Sequence, residues 1–316
     1  MQIQAVVYYL VQNKEKGFRL METLNTIADP NFSIILPGPC NANCAFCFWK
    51  RDENENAEIS NYMLKLDALL SKLPKQFTQV SLTGGEPTIS KHLPSVLNVL
   101  RDHRKQFNKV VLTTNLVRPI TLRKDERIQE FVRQFSGVVD YVNVSIHHNV
   151  TETNKKILRV KDGNITPDTE MLKKFINKMN IIGIPVNANC VLTNNLVHDW
   201  LEGAGRWIFL KSSIDDYITE IKRLGFSSIS FRKPHTKDSG LEPHPAEVAF
   251  QNRKVVMESK CPVCVAKTQI IDGMYVTWKR SVAEPSDSMP DLIYELVYHP
   301  DETLAADWSK NIIVEV

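Results

Sequence analysis

Short apolar runs alternate with longer amphipathic stretches along most of the chain. The apolar runs are rich in β-branched residues and predict six strands, at 32–36, 79–83, 109–114, 141–146, 185–192 and 227–231. Between them, apolar residues recur with the period of a helix, most clearly over 58–73. Further helices are predicted near 91–106, 124–135, 168–180 and 213–224. This alternation predicts parallel β–α–β units, either in an open sheet or in a full or partial barrel.

The alternating pattern ends at about residue 235, where a polar segment with prolines and a glycine predicts a boundary. We expect an N-terminal extension at 1–30, a main α/β domain at 31–240, and a smaller irregular extension at 241–316 that covers one rim. The carboxyl ends of parallel strands form the active face of such folds, so chemically important residues should follow the strands.

The composition is that of an ordinary globular enzyme, with 43% hydrophobic and 24% charged residues. The net charge of +3 does not indicate a nucleic-acid scaffold, although it is compatible with a nucleotide or phosphate substrate. We expect no secretory signal, because no basic segment precedes the short apolar run near the N-terminus. No apolar run approaches the roughly 20 residues that cross a bilayer. We therefore expect a cytoplasmic protein without membrane association, where clustered cysteines bind metal or do chemistry.

Three of the six cysteines, Cys40, Cys44 and Cys47, follow the first predicted strand in C-x3-C-x2-C spacing. Three thiolates on a tight loop can ligate three corners of a [4Fe–4S] cluster and leave one iron without a protein ligand. An open coordination site on a metal usually serves chemistry. The spacing alone leaves a three-ligand zinc site, or no metal, as alternatives. A zinc site would need a fourth ligand, and no other Cys or His follows before His92.

A second motif changes this picture. Residues 83–87 read Thr-Gly-Gly-Glu-Pro, directly after the second predicted strand. With the three cysteines and the aromatic Phe46 before the last of them, this motif resembles the signature of radical S-adenosylmethionine (SAM) enzymes. The resemblance extends more weakly over 30–235 and is nearest in style to the molybdenum-cofactor GTP cyclase and SPASM/twitch group. It implies a partial (β/α)6 TIM-like barrel with a small C-terminal α+β extension.

The resemblance also implies a chemistry. In this family the amino and carboxylate groups of SAM chelate the open iron of the cluster. An electron from the cluster cleaves SAM, and the resulting 5′-deoxyadenosyl radical abstracts hydrogen from a substrate, while the protein supplies placement and shielding. By this resemblance, Cys40, Cys44 and Cys47 hold the cluster.

Residues of the second motif and its surroundings are expected to bind SAM. Gly84 and Gly85 would let the backbone approach the SAM amino group closely, because no Cβ intervenes. Glu86 would accept a hydrogen bond from that ammonium group, and Pro87 would stiffen the exit from the motif. Phe46 would lie near the adenine.

Later strand ends match the family less tightly. Asn115 closes Thr-Thr-Asn after the third strand, and Ser145 ends the fourth, where relatives often bind the ribose or the methionine carboxylate. Arg159 resembles an arginine that holds the SAM carboxylate, for which a guanidinium fork is suited. Asn189 lies within the fifth strand, an unusual place for asparagine, and we expect it to bind the cofactor.

The sequence departs from the family after Ser145. Relatives usually carry an aspartate two residues later, whereas this chain has His147 followed by His148. We expect these histidines to face the cavity and to serve substrate recognition or proton handling.

A second group of polar residues follows the sixth strand. Arg232, Lys233 and His235 stand there, and a hairpin predicted around Asp-Gly ends in Lys279 and Arg280. If these cations converge above the barrel, they suit an anionic substrate such as a nucleotide or a carboxylate.

Cys261 and Cys264 form a separate C-x2-C pair. With Gly273 and Trp278, the pair resembles an auxiliary cluster domain whose last cysteine is replaced. Two cysteines cannot complete a four-thiolate site. The alternatives are a degenerate domain without metal, a second cluster or zinc site completed by other ligands, and a redox pair.

These observations predict a radical SAM enzyme that acts on a small anionic substrate, such as a nucleotide or nucleoside. The alternatives are a maturase of a peptide, a modifier of a nucleic-acid base, and a non-catalytic iron–sulfur protein. The expected partners are a small-molecule or peptide substrate and an electron donor of the flavodoxin or ferredoxin type. No membrane is expected as a partner, and a nucleic acid is disfavoured but stays an alternative.

Overall fold

The computed structural model describes residues 27–47, 61–72, 77–119, 129, 131–192, 211–233, 253–258, 266–279, 293–305, 308 and 312–315. The helices are α1 Tyr62–Lys72, α2 Leu93–Asp102, α3 Thr151–Leu158, α4 Thr169–Ile181 and α5 Lys211–Leu224. The first eight strands are β1 Ile27–Leu36, β2 Phe77–Gly84, β3 Phe107–Thr114, β4 Arg118–Pro119, β5 Tyr141–Ser145, β6 Asn164–Ile165, β7 Val186–Val191 and β8 Ser228–Arg232. The remaining strands are β9 Val255–Glu258, β10 Lys267–Ile271, β11 Met274–Lys279, β12 Ile293–Tyr298, β13 Thr303–Ala305 and β14 Ile312–Glu315.

One large sheet organises these elements. Its order is β14-β13-β12-β1-β2-β3-β5-β7-β8-β11-β10-β9, and every neighbouring pair from β12 to β11 is parallel. The sheet curls into a half barrel, which confirms the predicted partial TIM-like fold. All six predicted strands are present as β1, β2, β3, β5, β7 and β8.

Each barrel strand has one apolar face and one mainly polar face. The apolar side chains, such as Val80 and Leu82 on β2, join a single core with the helices. That core includes Val96, Leu97 and Leu100 of α2, which recur at helical spacing. The opposite, concave face carries mostly polar side chains, at Ser33, Gln79, Ser81, Thr83, Thr113, Tyr141, Asn143, Ser145, Asn187, Asn189, Ser228, Ser230, Arg232 and Glu295. The core therefore lies between sheet and helices, and the concave face is left for chemistry.

Local signals define the helix ends. The Asp168 side chain caps α4 by accepting a hydrogen bond from the Met171 backbone N–H at 2.8 Å. Helix α3 was not predicted from the sequence. It ends at Arg159, whose left-handed backbone (φ 48°) closes the last turn.

The C-terminal strands differ from the expected irregular extension over one rim. The predicted hairpin is confirmed as β10 and β11, with Asp272 and Gly273 at positive φ in its turn. Strand β11 continues the barrel beside β8, whereas β12 pairs in parallel with β1 at the other edge. The described C-terminal strands therefore extend both edges of the sheet. The predicted boundary near residue 240 and most of the N-terminal extension lie outside the described residues.

Strand β12 packs against α1. The Tyr298 and Tyr62 rings lie 4.8 Å apart between centroids, and the Tyr298 hydroxyl donates to the Tyr62 carbonyl at 3.1 Å. The Tyr62 hydroxyl in turn donates to the Ile35 carbonyl of β1 at 2.9 Å. These contacts connect the two ends of the described chain through one helix.

Within the part of the chain that the structure describes, no helix is long and apolar enough to cross a membrane.

Candidate active site

The three-cysteine loop begins where β1 ends. Cys40 and Cys44 are half-buried, and Cys47 is exposed. The Cys47 backbone N–H donates to the Cys44 carbonyl at 3.1 Å, which makes the C-x2-C segment a tight turn. The sulfur atoms therefore belong to one compact loop at the carboxyl edge of the sheet.

The segment after α3 holds this loop from the side. The Asn43 N–H donates to the carbonyls of Leu158 at 2.8 Å and Arg159 at 3.1 Å, and Lys161 N–H donates to Asn41 at 3.0 Å. The Cys44 thiol also lies 3.6 Å from the Leu158 carbonyl, to which it donates. Helix α3 thus fixes the position of the loop, although no sequence signal had predicted this helix.

Glu86 forms the centre of a buried network at the end of β2. Its Oε1 accepts from the Thr88 N–H (3.0 Å), the Thr88 hydroxyl (2.6 Å) and the Thr114 hydroxyl. Its Oε2 accepts from the Asn115 N–H at 2.7 Å. Burial raises the pKa of Glu86, although these hydrogen bonds act in the opposite direction. Because three of the four bonds end on Oε1, Oε2 is the oxygen with acceptor capacity left for a ligand.

Gly84 and Gly85 allow the protein backbone itself to pack closely. A Cβ on Gly85 would lie 2.6 Å from the Pro39 carbonyl oxygen, and one on Gly84 would lie 2.7 Å from that of Leu36. Gly84 also has φ +136°, a conformation that other residues rarely adopt. The backbone atoms that these glycines approach belong to Leu36 of β1 and to Gly38 and Pro39, just before the first cysteine of the loop. The predicted approach of the same backbone to SAM stays a prediction.

A buried pair of asparagines ties the same loop to β3. The Asn115 amide donates to Asn41 Oδ1 at 3.1 Å, and Asn41 donates to the Val117 carbonyl at 2.6 Å. Asn115 Oδ1 accepts from the Val117 N–H at 2.7 Å. Asn41 was not among the predicted site residues, and its place between Cys40 and Cys44 was the available signal.

Ser145 and Asn189 are direct neighbours at the same edge. They are paired in register on β5 and β7. Asn189 is 8% exposed, and its Oδ1 is buried without a hydrogen-bond partner among the described residues. A buried polar atom of this kind is costly unless something else satisfies it. The concave face therefore offers an acceptor here for a bound molecule.

His147 is a buried, neutral residue. Its Nδ1 accepts from the Val191 N–H at 3.0 Å, and burial lowers its pKa to about 3. Its ring makes an edge contact with Phe46, with 4.7 Å between centroids. This geometry favours a role in positioning Phe46 and joining β5 to β7 over the predicted proton handling, because the ring does not become charged near neutral pH.

His148 and Arg159 are more exposed to solvent than His147. His148 is half-buried, and its Nδ1 accepts from the Val150 N–H at 2.9 Å in the turn before α3. Arg159 is exposed, and its carbonyl contacts the cysteine loop as described above. Pro87, by contrast, is buried at the start of a short 3₁₀ helix that Glu86 caps.

The predicted cationic group is partly brought together. Arg232 pairs in register with Lys279, and the Lys233 N–H donates to the Lys279 carbonyl at 3.2 Å. These residues lie at the carboxyl ends of β8 and β11. His235, Arg280, Cys261 and Cys264 lie outside the described residues, so their predicted roles stay predictions.

The cysteine loop is suited to a cluster more than to one ion. Among the described residues, no three His, Cys, Asp or Glu side chains could hold a single metal ion. The corners of a [4Fe–4S] cluster are different irons, so its three thiolates need not converge on one point. Three cysteines on one partly accessible loop, at the same carboxyl edge of the sheet as the unsatisfied Asn189 Oδ1, therefore fit a cluster with a small molecule at that edge.

The family described as the radical SAM superfamily matches residues 34–208, more than half of the chain. The chain belongs to the radical SAM superfamily. SAM and a [4Fe–4S] cluster are characteristic of this superfamily, and the match indicates an enzyme.

Two relatives of this radical SAM chain carry names related to nucleotides. It is 35% identical over 130 residues to a probable GTP 3′,8-cyclase of Saccharolobus islandicus, covering 40% of this chain and 38% of that protein. It is 27% identical over 187 residues to an S-adenosylmethionine-dependent nucleotide dehydratase of Flammeovirga pacifica, covering 57% and 59%. The chain thus matches less than two thirds of either relative.

A solved structure shows the same fold. The radical SAM chain is similar to Streptococcus suis SuiB bound to the precursor peptide SuiA, with a TM-score of 0.55 and 15% identity. The similarity covers 92% of this chain and 62% of that one. At this identity, the likeness concerns the fold alone.

Proposed function

We propose that this protein is a radical SAM enzyme that modifies a small anionic substrate, with a nucleotide as the favoured class. It would cleave SAM reductively at a [4Fe–4S] cluster and abstract a hydrogen atom from the substrate. Cluster ligation by thiolates requires reduced cysteines, which agrees with the expected cytoplasmic location.

One observation carries this proposal. The cysteine loop and Gly-Gly-Glu-Pro stand at the carboxyl ends of neighbouring parallel strands, β1 and β2. At the same edge, Asn115 directly follows β3, and Ser145 and Asn189 lie on β5 and β7. Residues that are distant in sequence thus form one carboxyl-end site, which is where such folds bind ligands.

Cys40, Cys44 and Cys47 would hold three irons of the cluster. When bound, the cluster supplies the electron that cleaves SAM. Other residues of the chain would hold the cysteine loop and Phe46 in position. The Asn115–Asn41 pair and the carbonyls after α3 keep the loop in place, and Phe46 leans on His147.

SAM would contact the polar groups that still have hydrogen-bonding capacity or are exposed at this edge. Glu86 Oε2 would accept from the SAM ammonium at the Gly84–Gly85 edge, and Asn189 and Ser145 would meet the ribose or methionine part. Arg159, exposed beside the loop, would reach the carboxylate.

The substrate class rests on charge and on relatives. Arg232, Lys233 and Lys279 lie together at the carboxyl ends of β8 and β11, where they would attract an anion. The nucleotide-related names of two relatives agree with that class. An external electron donor of the flavodoxin or ferredoxin type would reduce the cluster.

The proposal is tested by anaerobic reconstitution with iron and sulfide, followed by dithionite and SAM. We expect roughly four irons per chain from the three-cysteine loop and formation of 5′-deoxyadenosine, measured by liquid chromatography and mass spectrometry. Cys44→Ala should lose both. Cys190→Ala is the matched control, because Cys190 is a buried core thiol away from the loop and should keep both.

A reconstituted cluster that yields no 5′-deoxyadenosine would contradict the catalytic proposal. The iron content of the Cys261→Ala/Cys264→Ala variant, compared with that of the wild type, tests whether these two cysteines bind a second cluster. An unchanged count of roughly four indicates a single cluster, whereas a fall from roughly eight indicates two.

A further inference from the structure

A half-buried carboxyl group, that of Glu295, lies on the concave face away from the cysteine loop and Gly-Gly-Glu-Pro. Glu295 is on β12, and its Oε1 accepts from the Ser33 hydroxyl of β1. Its Oε2 accepts from Trp308 Nε1 at 2.7 Å. Glu295 is surrounded by protein, yet part of its surface stays accessible, as expected for a side chain that lines a cavity. The two hydrogen bonds aim the carboxyl group and use about half of its acceptor capacity.

Arg232 faces this carboxyl group from another part of the sheet. Five strands separate β8 from β12 in the sheet order. Burial raises the pKa of Glu295, and the Arg232 charge acts in the opposite direction. The same charge opposes the rise in pKa that burial causes in Tyr141 of β5. Ile229 and Phe231 of β8 point into the core, so Arg232, which alternates with them, lies on the concave face of the half barrel, as Glu295 does.

The Arg232 and Glu295 side chains interact electrostatically but form no ion pair with each other. Arg232 Nε is buried with no hydrogen-bond partner, and the two side chains form no ion pair among the described residues. The Arg232 side chain as a whole is half-buried, but a buried N–H group without an acceptor, such as its Nε–H, is unfavourable. The cost is removed when a ligand places an acceptor at Arg232 and a donor at Glu295.

We propose that Arg232 and Glu295 bind opposite ends of one substrate, with Arg232 on an oxyanion and Glu295 on an amino group. The inference rests on the proposed function and narrows its substrate class to a small anion that also carries an amino group. A nucleotide whose base has an exocyclic amino group fits both ends, because carboxylates accept from such amino groups and guanidinium groups bind phosphate oxygens.

Two matched pairs of nucleotides test the inference. CTP carries an amino group at C4 of its base, where UTP carries an oxygen. GTP carries an amino group at C2, which ITP lacks. Dissociation constants are measured by equilibrium dialysis on the reconstituted enzyme with SAM. In the pair that binds more tightly, we expect the amino-bearing nucleotide to be preferred by about tenfold or more, the value of one charge-assisted hydrogen bond.

Variants test whether Glu295 and Arg232 cause the preference for the amino-bearing nucleotide. Glu295→Gln should reduce the preference to about threefold or less, because the amide no longer offers two charged acceptors. Arg232→Gln should weaken both members of the pair by a similar factor, about tenfold. Glu170→Gln is the control, since Glu170 is an exposed carboxylate on α4, and it should change neither constant.

The Glu295→Gln variant is expected to fold, because its amide oxygen can accept from Trp308 and its amide nitrogen can donate to Ser33. Ser33→Ala is a second test, since it keeps the Glu295 carboxyl group but removes the hydrogen bond that orients it, and it should also reduce the preference for the amino-bearing nucleotide. The absence of a preference in both pairs, a preference unchanged in Glu295→Gln, or the failure of all four nucleotides to bind would overturn the inference.

The same preparations are assayed for 5′-deoxyadenosine, which separates the two proposals. SAM cleavage without an amino-group preference contradicts this inference alone. Preferential binding without any SAM cleavage contradicts the proposed function.

Discussion

Glu86 shows how one buried side chain organises several parts of the site. Its carboxyl group contacts Thr88 after β2 and Thr114 and Asn115 at the end of β3. Burying a carboxyl group is unfavourable unless hydrogen bonds offset the loss of water, and four bonds do so here. A residue that the sequence motif suggested as a SAM ligand therefore also fixes the geometry of two strand ends.

His147 gives a prediction on pH dependence. Its pKa is about 3 in the folded protein and near 6.5 when exposed, so the unfolded chain binds a proton that the folded chain excludes. Stability should therefore fall as the pH drops below 6.5. The contribution of His147 between pH 7 and pH 5 should be about 2 kcal/mol.

The measurement is a set of anaerobic denaturant titrations of wild type and His147→Asn at both pH values. Asparagine offers Oδ1 as an acceptor for the Val191 N–H but does not titrate. The variant should lose less stability on acidification by about that amount. Equal losses in the two proteins would contradict the assignment.

At the scale of elements, the site depends on how closely the end of β2 approaches the loop after β1. Gly85 lies against the carbonyls of Gly38 and Pro39, which precede Cys40. Both contacts are backbone atoms, which cannot rotate away as a flexible side chain could. The glycine pair is therefore a packing requirement of the cysteine loop.

Gly85→Ala should shift that loop. The added methyl group should lower the free energy of unfolding by about 1–3 kcal/mol, as overpacking does, and reduce the iron bound after reconstitution. Gly163→Ala is the control, because a Cβ there meets nothing within 4 Å and only its positive φ is strained. The explanation fails if both variants bind as much iron as wild type.

The sequence predicted elements well where the periodicity was strong. The six barrel strands are short β-branched runs, and the hairpin turn carries Asp272-Gly273. Helix α3 was missed because its residues, Thr-Glu-Thr-Asn-Lys-Lys-Ile-Leu, place apolar side chains only in the last turn. The contact of this helix with the cysteine loop was missed for the same reason.

Contacts between distant segments could not be predicted from local patterns. Asn41 and Asn115 are 74 positions apart, and their amide contact depends on the pairing of β1, β2 and β3. Glu295 gave no signal either, because its role follows from β12 lying beside β1. Motifs located the carboxyl edge of the sheet, whereas tertiary pairing determined the partners on it.

At the scale of the whole molecule, the C-terminal strands are part of the barrel. Tyr298 on β12 is fully buried against Tyr62, and the Lys65 ammonium group lies 2.5 Å from the Glu302 carboxylate. These contacts bind the β12 edge to α1. We therefore expect the described barrel and its C-terminal strands to unfold together.

Tyr298→Ala should lower the free energy of unfolding by about 3–5 kcal/mol, as truncation of a buried aromatic ring does, within a single cooperative transition. Tyr275→Ala is the matched control, because Tyr275 is 52% exposed on β11 and should change stability by about 0.5 kcal/mol or less. Two separate transitions in the Tyr298→Ala variant would show that the C-terminal strands unfold independently.

The pairing of β1 with β12 also sets an order of events during protein synthesis. Ser33 and Glu295, which meet across this pair, are 262 positions apart along the chain. The cysteine loop and strands β1 to β8 therefore leave the ribosome well before the strand that completes this wall. Until β12 arrives, the β1 edge presents unpaired backbone groups and the cysteine loop lies beside an unfinished wall. The polar concave face of the barrel is therefore closed at this edge only when the last part of the chain has been made.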